Sequence, residues 1–141
     1  MLIKLDRKMK QYINMQKYDY CDALREIKKG KKTGDWIWYI FPQIKGIGVE
    51  YMSEQYDIQN IEEAKEYLKI DSLREHLIEL CKALLYHTDK NISDIMNEDA
   101  TKLLSCMTLF NIADEKQKCK GIFKKITDVF YDGKEDELIR K

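Results

Sequence analysis

The chain has 141 residues, with 25 Lys and Arg against 25 Asp and Glu, so a charged fraction of 35% sums to zero formal net charge. A chain of this length is expected to fold as one domain, and its hydrophobic fraction of 44% is too high for a disordered chain. Neutrality argues against a protein that grips extended nucleic acid, because backbone binding needs a basic excess to displace counterions.

The N-terminus, Met1-Leu-Ile-Lys-Leu-Asp-Arg-Lys8, turns charged before a signal-peptide core can form, and no apolar run approaches the ~18 residues of a membrane span. Cys21, Cys81, Cys106 and Cys119 are 60, 25 and 13 positions apart, without a CxxC or a cluster with His76 or His87. This spacing nominates neither a metal site nor a disulfide framework. The expectation is a soluble cytoplasmic protein with no cofactor and no membrane partner.

In chain order, one or two helices are predicted from about Asp6 to Gly30, where Met9, Tyr12, Ile13, Tyr20, Leu24 and Ile27 recur at helical steps. Asp22 with Arg25, and Glu26 with Lys29, read as pairs on the outer face. Turn chemistry then gathers around Pro42, the only proline, with Gly30, Gly34, Gly46 and Gly48 close by. Trp36 to Phe41 is the one stretch that reads as a minor extended segment. Asn60 and Glu63 form a capping-box pattern that opens a short helix carrying Ala64, Tyr67 and Leu68. Asp71 is the predicted cap of the next helix, whose stripe is Leu73, Leu77, Leu80 and Leu84. Ser93 is the predicted cap of a short turn with Ile95 and Met96. A helix from about Asp99 to Ala113 follows, and after Asp114 a last long helix carries Ile122, Phe123, Ile126, Val129 and Phe130 before Gly133 stops it. The predicted fold is therefore all-α, a single domain over residues 1–141.

Two blocks stand apart chemically. The stretch from Gly34 to Gly48 holds both tryptophans, the proline and a Gly-x-Gly. Clustered aromatics such as Trp36, Trp38 and Phe41 make either a stacking platform for a planar ring or the centre of a small helical core. Upstream, Lys28, Lys29, Lys31 and Lys32 form either a solvated helix end or a phosphate-attracting cluster. On the second block, Lys102, Ser105 and Thr108 descend one helix ridge. They either hold an oxyanion or a ribose, or the hydroxyls bond back to carbonyls one turn earlier while Lys102 pairs with Asp99. His76 and His87 read as surface residues, and no catalytic pair is singled out.

Trp36-Ile-Trp-Tyr-Ile-Phe-Pro-Gln-Ile-Lys-Gly-Ile-Gly48 resembles the signature of the domain-of-unknown-function 1810 family, typically His-Trp-Met-Trp-Phe-Ile-Phe-Pro-Gln-Leu-x-Gly-Leu-Gly. The resemblance continues through Leu24 to Lys32, Tyr56 to Leu68, the block from Asp99 to Phe110, and Gly133-Lys-Glu-Asp136. It implies a compact, mostly helical fold and brings no established activity. Some members are labelled "calpastatin", but this chain has no long disordered inhibitory repeats. It makes Gln43, Lys102, Ser105 and Thr108 part of a family pattern, and polar residues do not improve an apolar core. Two departures are notable: Asp35 replaces the usual His before the first Trp, and Ser105-Cys106 replaces a Ser-Ser pair.

The resulting expectation is a binder of a small nucleotide-like or ADP-ribose-derived ligand. Trp36 or Trp38 would stack on its ring and Gln43 would read the ring edge. Backbone N–H groups near Gly46 and Gly48, with Lys102, would meet anionic oxygens. The alternatives are a small hydrolase or transferase with Asp35 as general base, and a protein-interaction module that exposes its aromatics.

Overall fold

The computed structural model describes residues 2–45 and 57–140, and Gly46, Gly48 and Tyr56 lie outside them. Its first element, α1 (Leu2–Lys29), is a single helix of 28 residues. Gly30 ends it in the left-handed conformation, φ +82°, with the Gly30 N–H bonded to the Ile27 carbonyl and the Lys31 N–H to the Glu26 carbonyl. This pairing is a Schellman cap, which suits a residue without a Cβ. His87 adds a second cap, its Nε2 lying 2.8 Å from the Ile27 carbonyl.

Residues 36–41 form a helical turn, α2 (Ile37–Ile40), closed by Ile40 N–H to Trp36 carbonyl and Phe41 N–H to Ile37 carbonyl. The expected extended segment is therefore corrected. All six side chains are buried, so no polar alternation marks a strand, and an apolar run this short fits a buried helix turn equally well. Pro42 then holds Phe41 out of the helical region, at φ −122° and ψ 80°. Beyond it, Ile44 and Ile58 make an isolated parallel bridge.

The helix α3 (Ile61–Lys69) begins as expected, with Asn60 Oδ1 accepting from the Glu63 N–H at 2.9 Å. Glu63 reaches back to the Gln59 N–H, one residue earlier than a standard capping box. The next helix, α4 (Asp71–Leu84), starts without a side-chain cap: Asp71 is its first residue and pairs with Arg74 instead. Ser93 likewise lies inside α5 (Ile92–Met96), not at its cap.

The centre of the molecule is α6 (Ala100–Ala113), with α7 (Ile122–Phe130) and α3 packed against it, while α1 packs on α4. From Ser105 to Phe110 every residue of α6 is buried, as befits a helix enclosed on all sides. The expected long helix after Asp114 begins only at Ile122. The Asp114 carboxylate takes the Lys118 and Cys119 N–H groups, and Gln117, Lys120 and Gly121 adopt positive φ, so residues 114–121 form turns. Gly133, at φ +77°, closes α7, and the last helix is α8 (Glu137–Arg140).

His76 is half-buried: its ring stacks on Tyr20 with centroids 3.7 Å apart, and Nδ1 lies 2.8 Å from Gln16 Oε1. Because the Gln16 amide donates to the Tyr39 carbonyl and the Tyr67 hydroxyl, its oxygen accepts, and the His76 proton sits on Nδ1. Burial lowers the His76 pKa, against the opposing pull of Glu79 and Glu75. Both histidines thus serve the packing of α1, where sequence pattern placed them on the surface.

Candidate functional site

The loop leaving α1 is folded around a carboxylate. Glu26 Oε1 accepts from the Thr33 N–H at 2.6 Å, the Gly34 N–H at 2.9 Å and the Trp36 indole N–H at 3.0 Å. Burial works against its charge, but these donors outweigh that and hold the carboxyl below its ordinary range. Glu26 was expected on the outer face beside Lys29. The structure turns it inward because three orphan N–H groups of the loop need an acceptor.

Lys32 follows the same logic. Its backbone bridges to α5, the N–H reaching the Ile95 carbonyl and the carbonyl accepting from Asn97 Nδ2 at 2.7 Å. Its buried ammonium donates to the Gly34 carbonyl, pairs with Asp99 Oδ2 at 2.8 Å and lies 4.8 Å from the Trp36 ring centroid. Of the four lysines near Gly30, it alone turns inward; Lys28, Lys29 and Lys31 remain exposed.

The other oxygen of Asp99 holds Lys102, Nζ to Oδ1 3.2 Å, and the same ammonium sits 5.2 Å over the Trp38 ring. One carboxylate therefore spaces two lysines, each above a tryptophan. Gln43 fixes this from below, donating to the Phe41 carbonyl at 2.8 Å and the Lys102 carbonyl at 2.9 Å, while its buried Oε1 has no hydrogen-bond partner among the described residues. Asn97, which ties the two sides together, has the strained backbone φ 56°, ψ −133°.

These residues border a cleft of about 450 Å³ between the 32–38 segment and the start of α6. Trp38, Lys32, Asp99 and Lys102 form its floor, and the exposed Asp35, Glu98, Thr33 and Asn97 its rim. Two lysines and one carboxylate leave the floor at +1, and Asp35 and Glu98 make the rim −2.

Of the residues singled out in the sequence, Asp35, Trp38 and Lys102 meet at this cleft. Trp36 and Phe41 do not line it: Trp36 is 3% exposed and pinned by Glu26, and Phe41 is fully buried. Gln43 braces Lys102 from inside. Ser105 and Thr108 bond back to the Thr101 and Leu104 carbonyls and face the C-terminal segment, Ser105 donating to the Asp136 carboxylate and Thr108 Oγ1 accepting the Asp136 N–H at 3.0 Å. The aromatics of residues 36–41 are all buried and present no flat exposed face. Sequence reading missed Glu26 and Asn97, and saw Asp99 only as a partner of Lys102. A polar residue one turn before a Gly-terminated helix end was the available sign for Glu26.

Among the described residues, no three His, Cys, Asp or Glu side chains gather where they would hold a metal ion. No described helix is long and apolar enough to cross a membrane.

The fold matches a solved structure, that of the conserved hypothetical protein Rv1873 from Mycobacterium tuberculosis, at 31% identity and TM-score 0.87, covering 93% of this chain and 92% of that one. Among curated proteins, none matches the sequence. A family model described as "Protein of unknown function (DUF1810)" matches residues 6–141, and the chain belongs to that family.

Proposed function

We propose that the cleft binds, and the protein sequesters, a small ring-bearing polar ligand of nucleotide-like or ADP-ribose-derived chemistry. The observation that carries this reading is the Lys102 ammonium, held between the Trp38 ring and Asp99 where the cleft floor is positive. Core packing does not call for a lysine there, whereas a ligand oxyanion does. The rim carboxylates of Asp35 and Glu98 accept hydrogen bonds from sugar hydroxyls, and Ile37 and Trp38 add apolar lining beside Lys102. A compact cleft of this volume suits one small ligand, in keeping with a chain whose zero net charge leaves no overall basic excess for extended nucleic acid. Free thiols at Cys81, Cys106 and Cys119 suit a reducing, cytoplasmic setting.

Isothermal titration calorimetry across nucleosides, nucleotides and ADP-ribose tests the proposal. Native protein should bind at least one member, and Lys102→Met should weaken that binding at least tenfold, by an amount typical of a lost charge-assisted contact of roughly 1.5–3 kcal/mol. No heat with any compound ends this reading.

A second reading, a small hydrolase or transferase, draws on the position of Asp35 in the same cleft as Lys102. There the Asp35 carboxylate takes a proton from the attacking group while Lys102 stabilises developing negative charge. Mass spectrometry of the incubated panel separates the two readings. A new product that disappears with Asp35→Asn makes the protein an enzyme, and ligand returned unchanged makes it a binder.

A further inference from the structure

We infer that the cleft selects a ligand carrying a single negative charge, of the class of a nucleoside phosphodiester, and rejects multiply charged phosphates; this rests on the ligand-binding reading above. Only one of the two lysine ammonium groups is open to the cleft. An ammonium has three N–H groups. Lys32 spends two of them on the Asp99 carboxylate and the Gly34 carbonyl, and its charge faces the Trp36 ring. Lys32 is also 7% exposed at its side chain, so a ligand cannot reach it without breaking these bonds.

Lys102 differs. Among the described residues its ammonium has one hydrogen-bonding partner, Asp99, and lies 5.2 Å over the Trp38 ring, and with 24% side-chain exposure it remains accessible from the cleft. The site thus offers one cationic donor to an anion. Around it, Asp35 and Glu98 set two exposed carboxylates at the rim, where they repel any further charge yet accept from hydroxyl groups. A phosphodiester carries one negative charge, whereas a phosphate monoester carries about 1.5 to 2 near pH 7. Each added phosphate places another charge against the rim, a repulsion that water weakens and salt screens further, so it is greatest at low ionic strength.

The test uses the native full chain and two series, adenosine and guanosine, each as nucleoside, 3′,5′-cyclic monophosphate, 5′-monophosphate and 5′-triphosphate, titrated at low salt. The cyclic compound of the bound series should bind on the order of tenfold or more tighter than the triphosphate. The double variant Asp35→Asn, Glu98→Gln should close that gap, with circular dichroism and thermal unfolding showing that it folds. A nucleoside or a triphosphate that binds native protein as tightly as the cyclic compound, or a gap unchanged in the double variant, overturns the single-charge inference and leaves ligand binding standing. If no compound of either series binds and ADP-ribose does, the single-charge inference also fails, because ADP-ribose carries two charges. Binding by none of them removes the parent reading and the inference with it.

Discussion

Trp36 donates its indole N–H to Glu26 at 3.0 Å, and this contact decides which tryptophan belongs to the cleft. The carboxylate collects the Thr33 and Gly34 N–H groups at the same oxygen, so Trp36 is bound into the loop that leaves α1. Trp38, two residues on, faces the opposite side of the α2 turn and reaches the cleft beneath Lys102.

Glu26→Gln should destabilise the protein by about 2 kcal/mol, since hydrogen bonds to a charged acceptor are the stronger kind. The folded pKa of Glu26 lies below the ordinary 4.5, so its contribution is complete above about pH 4.5 and is lost as pH falls through the folded value. Urea unfolding of both proteins from pH 7 to pH 3 should show the stability gap narrowing only below pH 4.5. A gap independent of pH would mean that the charge is not what stabilises the loop.

The same substitution at the two tryptophans should have opposite readouts. Trp36→Phe removes the donor to Glu26 and should cost about 1–2 kcal/mol with ligand affinity changed little. Trp38→Phe keeps a ring under Lys102 and should cost under about 1 kcal/mol while weakening the ligand found in the calorimetric panel. Denaturant midpoints and titrations on both variants check this, and equal effects on affinity would put Trp36 back in the site.

At Asn97, Ala and Gly substitutions both remove the bond to the Lys32 carbonyl, so their difference reports the backbone alone. Glycine accepts φ 56°, ψ −133° without a Cβ clash. Asn97→Gly should therefore be more stable than Asn97→Ala by about 1 kcal/mol, despite the larger unfolded-state entropy of glycine. Thermal unfolding of the pair gives the comparison, and an alanine variant of equal or greater stability would show that the position is unstrained.

Ser105→Ala combined with Thr108→Val should loosen the C-terminal segment without touching the cleft. The two hydroxyls hold the Asp136 carboxylate and N–H, and their loss should cost about 1 kcal/mol each and speed amide hydrogen exchange at Asp136. Ligand affinity should remain within twofold of native, a roughly 0.4 kcal/mol limit. A large loss of affinity would show that the whole Lys102 ridge serves the site.

Pattern alone determined what depends on neighbours in the chain. Periodicity of Met9, Tyr12, Tyr20 and Ile27 gave α1, Asn60 gave the cap of α3, and Gly30 and Gly133 gave chain reversals, because backbone geometry and local hydrogen bonds act over a few residues. Lys102 and Asp99 were also legible as a pair, being one helical turn apart. Tertiary structure decided the rest. Trp36 and Trp38 are chemically alike in sequence, and only Glu26, reaching across the Gly30 turn, separates a core indole from a cleft wall. Lys32 and Lys102 are 70 positions apart, and only the folding of the loop onto α5 and α6 makes them share Asp99. A buried charge must find its partner wherever the chain brings one, and that partner is set by packing rather than by spacing.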